Sequence, residues 1–222
     1  MRKTVLWYWL FSPIVAFSNL QPQGVMGVGR GSFGSKLWGL IALLALSTTA
    51  STAEKPHWLD AYKGQEELFS IDGYRLIRYR APTPLHAPYA TTLNTTELQQ
   101  LRHSRNVSLI DVQPIPWKAG KFIEKAPRQH IPGSFWLPNV GQGELADSWR
   151  DYFNRQLVAI TQGNKQHPLV FYCRADCWMS WNAVKRAYEE LGYQKLYWYR
   201  DGVDGWSDAE LPMENASPIP YP

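Results

Sequence analysis

Cys173 and Cys177 are the only cysteines in the chain, and they stand four positions apart. That offset lets two sulfurs meet in a loop or a first helical turn. One thiolate can then attack a disulfide and the other thiol can resolve the mixed disulfide, provided the Cα atoms come within about 7 Å. The flanking residues say how the pair would be held. Leu169-Val170-Phe171-Tyr172 is a short apolar run of the kind found in a buried strand. After the cysteines, Val184, Ala187, Tyr188 and Leu191 recur at i, i+3, i+4 and i+7, which is one buried helix face. Gly192 then occupies the place of a left-handed residue closing that helix. Cys173 is therefore expected at the C-terminal end of a strand. Arg174, Ala175 and Asp176 form a tight loop after it, and a helix N-terminus points back at the sulfurs. Free N–H groups and the helix dipole favour negative charge there and lower a thiol pKa. Arg174 favours a thiolate and Asp176 opposes it. The structural alternative is a fixed disulfide or two small buried hydrophobic side chains.

Other elements must position this loop. Asn94-Thr95-Thr96-Glu97 has the form of a capping box and opens a short helix that buries Leu98 and Leu101. Val107 to Val112 reads as a second buried strand, with Asp111 near its end. Asp111 is either a carboxylate satisfied by loop N–H groups or a group near the cysteine loop. Residues 113–129 form a long loop with Pro114, Pro116, Gly120 and several lysines, expected to cover the site or carry a partner surface. His130 to Pro138 turns into another strand, with His130 as a hydrogen-bonded loop residue. Ser148 to Gly163 is a helix and Lys195 to Tyr199 a strand. Asp201 to Trp206 is expected to be a two-glycine turn in which Asp204 fixes the backbone, and Tyr74 to Arg80 an edge strand. Trp178, Trp181 and Trp206 are expected to pack structurally beside the pair. Strands alternating with helices give an α/β fold with a mainly parallel sheet, whose ligands bind at the carboxyl ends of the strands.

The chain has 222 residues, a net charge of +4 and 45% hydrophobic residues, enough for one domain and extensions. No run of Lys and Arg marks a nucleic-acid surface. Residues 37–46 are apolar, follow Arg30 and Lys36, and precede the small residues Ser51-Thr52-Ala53. This is the pattern of a signal peptide with cleavage after Ala53, too short an apolar run for a spanning helix. An earlier apolar run, Val5 to Phe17, makes Met26 an alternative start, and an uncleaved anchor is the alternative to cleavage. The organisation expected is a leader over residues 1–53, an arm over 54–94, a domain over 95–212 and an extended Pro-rich tail over 213–222. Export puts the folded part outside the cytoplasm, where disulfides persist. No membrane span is expected after cleavage. No metal is expected, because two cysteines supply half of a usual zinc ligand set and the spacing of His130 and His167 does not complete it.

Four segments resemble, in order and rough spacing, the rhodanese-like domain: Leu109 to Val112, His130 to Ser134, Val170 to Cys173, and Asp201 to Trp206. More narrowly, Asp176 to Ala183 and Trp198 to Trp206 resemble the periplasmic proteins associated with PQQ-dependent catabolism that carry a CXXCW motif. The label implies two residues between cysteines where this chain has Arg174, Ala175 and Asp176. The resemblance implies a rhodanese-like fold with Cys173 in the place of the persulfide-bearing nucleophile. It implies a periplasmic setting beside quinoprotein alcohol dehydrogenases or associated transport components; a c-type cytochrome is a further expected partner, and no resident cofactor is expected. The chain departs from active sulfurtransferases in three ways: a longer loop, a second cysteine inside it, and Trp178 where an Arg often stands. Losing that Arg removes a planar fork of anion-binding donors. Three functions follow. The leading one is a thiol redox pair in which Cys173 attacks and Cys177 resolves. The others are a sulfurtransferase with a Cys173 persulfide, and a binding module that docks a partner without chemistry.

Overall fold

The computed structural model describes residues 57–221 apart from Arg105. The leader, its apolar runs, Met26 and the cleavage position after Ala53 lie outside the described residues. Two 3-10 turns, His57–Tyr62 and Glu66–Leu68, open the described chain. The elements that follow are β1 (Thr91–Leu93), α1 (Thr95–Ser104), β2 (Ser108–Asp111), β3 (Trp117–Lys118), β4 (Lys121–Phe122), β5 (Gln129–His130) and β6 (Ser134–Trp136). Then come α2 (Asp147–Thr161), β7 (Leu169–Tyr172), α3 (Trp178–Glu189), β8 (Leu196–Tyr199), α4 (Gly202–Asp208) and β9 (Glu214–Asn215).

The central sheet runs β1-β8-β7-β2-β6, and all four pairings are parallel. β7 lies in the middle, so both its faces must be apolar. Leu169 and Phe171 face α2 and α3, while Val170 and Tyr172 face Leu98 of α1 and Trp206 of α4. β8 alternates in the same way, with Leu196 and Trp198 on the first side and Tyr197 and Tyr199 on the second. Period-two alternation carries Cys173, just past the strand, to the α2/α3 face. Each fully buried large side chain here contributes roughly 1.5–3 kcal/mol. One sheet with helices on both faces is therefore a single domain.

Local signals account for the helices. The Asn94 side chain accepts from the Glu97 N–H at 2.9 Å and the Glu97 carboxylate accepts from the Asn94 N–H at 2.8 Å, the reciprocal capping box. Past the end of α3, Gly192 adopts φ 75°, which Gly reaches without a Cβ clash. The tail is extended: β9 pairs with β5, and the Ile219 N–H bonds the Trp136 carbonyl at 2.9 Å.

Three segments differ from the sequence expectation. Tyr74 to Arg80 forms no strand, only isolated bridges at Arg75 and Arg80. Arg78 turns the chain at φ 51°, and the Arg75 backbone is held by the Asn182 side chain instead of a neighbouring strand. Asp201 to Trp206 is not a turn, because Gly202 opens α4 and Trp206 is buried in it. The long loop over 113–129 contains the hairpin β3–β4, turned at Ala119 and Gly120, both with positive φ. Its rings meet Trp149 of α2 and Tyr221 of the tail.

Candidate functional site

Cys173 leaves β7 at its carboxyl end, and Cys177 is the residue on which α3 begins. The two sulfurs are 2.7 Å apart as free thiols, with Cys173 donating to Cys177. Cys173 is 1% exposed and Cys177 3%. The sequence placed both residues correctly on strand end, loop and helix start, and the structure brings them together.

The loop between them is fixed from three sides. From α4, the Asp204 carboxylate accepts the Ala175 N–H at 3.1 Å and pairs with the Arg174 guanidinium at 3.2 Å. The Val203 N–H bonds the Cys173 carbonyl at 2.9 Å, and Gly202 bridges Arg174. That approach requires glycine: a Cβ at Gly202 would lie 2.5 Å from the Cys173 carbonyl oxygen, and its φ is +60°. From below, Ser180 donates to the Cys177 carbonyl and accepts from the Trp198 indole. From above comes the arm. The Trp178 N–H bonds the Tyr79 carbonyl at 2.9 Å, the Ala81 N–H bonds the Asp176 carbonyl at 3.2 Å, and Arg80 bridges Cys177 antiparallel. Asp176 holds φ 49°, accepts the Thr83 N–H at 3.3 Å and lies 3.6 Å from Arg200. An Asp tolerates that left-handed conformation better than most residues.

The arm's own anchors are buried. Asn182 of α3 accepts the Arg75 N–H and donates to the carbonyls of Arg75 and Gly141. The Trp178 indole donates to Pro82, and its ring packs edge-on against Tyr62, Phe69 and Trp181. Trp178 is thus a buried packing residue. Arg174 and Asp176 are exposed and Ala175 is half-buried.

The two thiols are driven apart. Burial pushes Cys173 well above its ordinary value, and its bond to Cys177, the charge of Cys177 and that of Asp111 add to this. Cys177 is lowered to about 7, chiefly because Cys173 donates to it. Burial opposes this. The N–H groups of Met179 and Arg174 and the charge of Arg80 assist it. The Met179 N–H faces the sulfur as a helix-terminus dipole without closing a capping hydrogen bond. When the pair loses one proton, the charge is therefore favoured on Cys177, at the helix start, and the remaining proton on Cys173.

Asp111 is not in the cysteine loop. It pairs in register with Tyr172 and so lies on the sheet face opposite Cys173. There it accepts the Gln113 N–H at 3.0 Å and faces Arg128 and His130, and His130 in turn meets Glu214. His167 bonds Ser108. Among the described residues, no cluster of His, Cys, Asp and Glu could hold a metal ion, and no helix is long and apolar enough to cross a membrane. Sequence reasoning missed the arm's contact with the loop and the grip of Asp204 on it. The latter had a visible signal in the acidic residue between two glycines.

A family model, the rhodanese-like domain, matches residues 94–209, more than half of the chain. The chain belongs to the rhodanese-like domain family. This agrees with the four-segment resemblance, and the rhodanese-like domain begins after the arm. Among curated proteins no relative matches. Similar solved structures include a thiosulfate sulfurtransferase from Pseudomonas aeruginosa, 14% identical with TM-score 0.43 over 59% of this chain and 21% of that one. Wild-type EanB is 20% identical with TM-score 0.38 over 58% of this chain and 29% of its own. YnjE is 18% identical with TM-score 0.40 over 59% and 32%. The chain thus spans less than a third of the length of these three structures.

Proposed function

We propose that this rhodanese-like protein performs thiol–disulfide exchange through Cys173 and Cys177. The observation that carries the reading is the 2.7 Å separation of two buried free thiols with their ionisation split between them. Exchange needs a thiolate to attack and a second thiol to resolve. The electrostatics favour Cys177 as the attacking sulfur and Cys173 as the resolving one, the reverse of the order the family position suggests. The Cys177 thiolate attacks one sulfur of a substrate disulfide, forming a mixed disulfide and releasing the other sulfur as a thiolate. Cys173 then gives up its proton and attacks the Cys177 sulfur. The mixed disulfide breaks, the second substrate thiolate leaves, and Cys173–Cys177 closes. The substrate disulfide gains two electrons and the protein loses two, and a dithiol partner reverses the sequence.

Family membership supports a second reading, sulfur transfer with a persulfide on Cys173. The Cys177 sulfur 2.7 Å from Cys173 is placed to resolve a sulfur species formed there by closing the Cys173–Cys177 disulfide, which favours the exchange reading. The leader sequence supports an exported, periplasmic setting. The resemblance supports partners among quinoprotein alcohol dehydrogenases or associated transport components, and a c-type cytochrome is a further proposed partner. Equilibration in glutathione buffers tests exchange. A Cys173–Cys177 disulfide that forms and opens reversibly in the folded protein supports it. Turnover of thiosulfate and cyanide that disappears in Cys173→Ser and survives in Cys177→Ser, with no disulfide formed, supports sulfur transfer instead.

A further inference from the structure

The arm does more than cover the loop. Arg80 is bridged antiparallel to Cys177. Directly opposed residues in such a pairing project their side chains to the same face, with Cβ atoms about 4.5–5.5 Å apart. The Arg80 guanidinium folds along the loop and donates to the Ala175 carbonyl, midway between the cysteines. The other cations near the loop are committed elsewhere. Arg174 pairs with Asp204. Arg200 bonds Thr83 and Pro84 and faces Asp176. Arg75 donates to the carbonyls of Ile77 and Arg78 and lies over the Phe69 and Trp178 rings. Among the described residues no ion pair joins Arg80 to a carboxylate, and its hydrogen-bond partner at the loop is a neutral carbonyl.

We propose that Arg80 is a positioning residue of the cysteine pair: an arm-borne guanidinium, outside the family domain, that faces Cys177 and steadies the negative charge its sulfur carries between exchange steps. The proposal rests on the exchange reading of the site. The groups around Cys177 are Cys173 and Arg174 from the loop, Asp176 and Asp204 as opposing anions, Arg200 from the end of β8, and Arg80 from the arm. The charge of Arg80 is among the causes that lower the Cys177 thiol, after the Cys173 bond and the Met179 and Arg174 N–H groups.

The test titrates the full reduced chain with carbon-labelled cysteine, so that NMR reads Cys173 and Cys177 separately. Arg80→Gln is expected to raise the Cys177 midpoint above about 7 by a fraction of a unit, less than loss of the Cys173 donor does, and so to lower the thiolate population at neutral pH by up to roughly twofold. Arg80→Lys keeps the charge without the fork and is expected to recover most of the shift. Raising ionic strength should lift the midpoint further in the parent protein than in Arg80→Gln, because an exposed cation is screened. A folded Arg80→Gln with an unchanged midpoint, or an Arg80→Lys identical to Arg80→Gln, overturns the proposal and leaves Arg80 as an anchor of the arm. If Arg80→Gln does not fold, the Lys variant and the salt series decide. Failure of the exchange reading shows separately, as a parent protein in which the Cys173–Cys177 disulfide never forms while the Arg80 shift persists.

Discussion

Replacing Cys173 by alanine removes the donor that chiefly lowers the Cys177 thiol. What remains is burial, which opposes ionisation, against the weaker pull of two N–H groups and Arg80. The Cys177 midpoint should climb from about 7 to at least its ordinary 9.0. Two units correspond to about 2.7 kcal/mol, inside the range of roughly 1.5–3 kcal/mol for a hydrogen bond to a charged group. At pH 7 the ionised fraction falls from about one half to about one in a hundred, roughly fifty-fold. Cys173→Ser keeps a hydroxyl donor in nearly the same place and should restore part of the loss, although neither variant can close the disulfide. The assay is the pH dependence of the Cys177 signal in cysteine-labelled protein, with the rate of its first exchange step against a small disulfide as a second readout. A Cys177 midpoint that stays near 7 in Cys173→Ala would refute the argument and assign the thiolate to the helix start and Arg80 alone.

The stability of the reduced protein should depend on pH in both directions. The depressed Cys177 contributes stability that is fully present above its unfolded value near pH 9 and is lost as pH falls through about 7. The raised Cys173 contributes stability present below about pH 9 and lost as pH rises beyond it. Denaturant unfolding should thus strengthen by about 1.5 kcal/mol from pH 7 to 9 and weaken above, and the oxidised protein should lack both slopes. Gly202→Ala places a Cβ 2.5 Å from the Cys173 carbonyl at φ +60° and should cost about 1–3 kcal/mol. The same unfolding measurement checks it, with a shifted Cys173 resonance as the local sign. Asn182→Ala strips the Arg75 backbone and the Gly141 carbonyl of buried partners and should cost about 3 kcal/mol. Limited proteolysis should then cut the arm between Tyr74 and Pro84 before the domain.

The cysteine loop was legible because its flanking elements obey simple periods. Leu169 to Tyr172 is buried on both faces, the i, i+3, i+4, i+7 stripe from Val184 to Leu191 forms the core side of α3, and Gly192 ends in the left-handed region. The Asn94 capping box was readable for the same reason, since all its contacts are local. The arm was not, because its backbone is paired through partners 95 to 107 residues away, such as Asp176 and Asn182. The alternation of Tyr74 to Arg80 suggested a strand, but Asn182 and Arg78 redirect it. α4 was hidden by two glycines, of which Gly202 serves the close approach to Cys173. The division of labour between the sulfurs was also hidden. It depends on which thiol sits deeper and which sits at the helix start, and their spacing of four residues does not decide that.

The central claim is that Cys173 and Cys177 form a reversible exchange pair. Intact mass of the folded protein, taken through cycles of oxidised and reduced glutathione and then through thiosulfate, tests it most directly. The account expects a loss of about two mass units on oxidation, regained on reduction, with no sulfur adduct from thiosulfate. A stable gain of about thirty-two mass units on Cys173, with no loss of two under oxidant, would contradict it and make the site one of sulfur transfer.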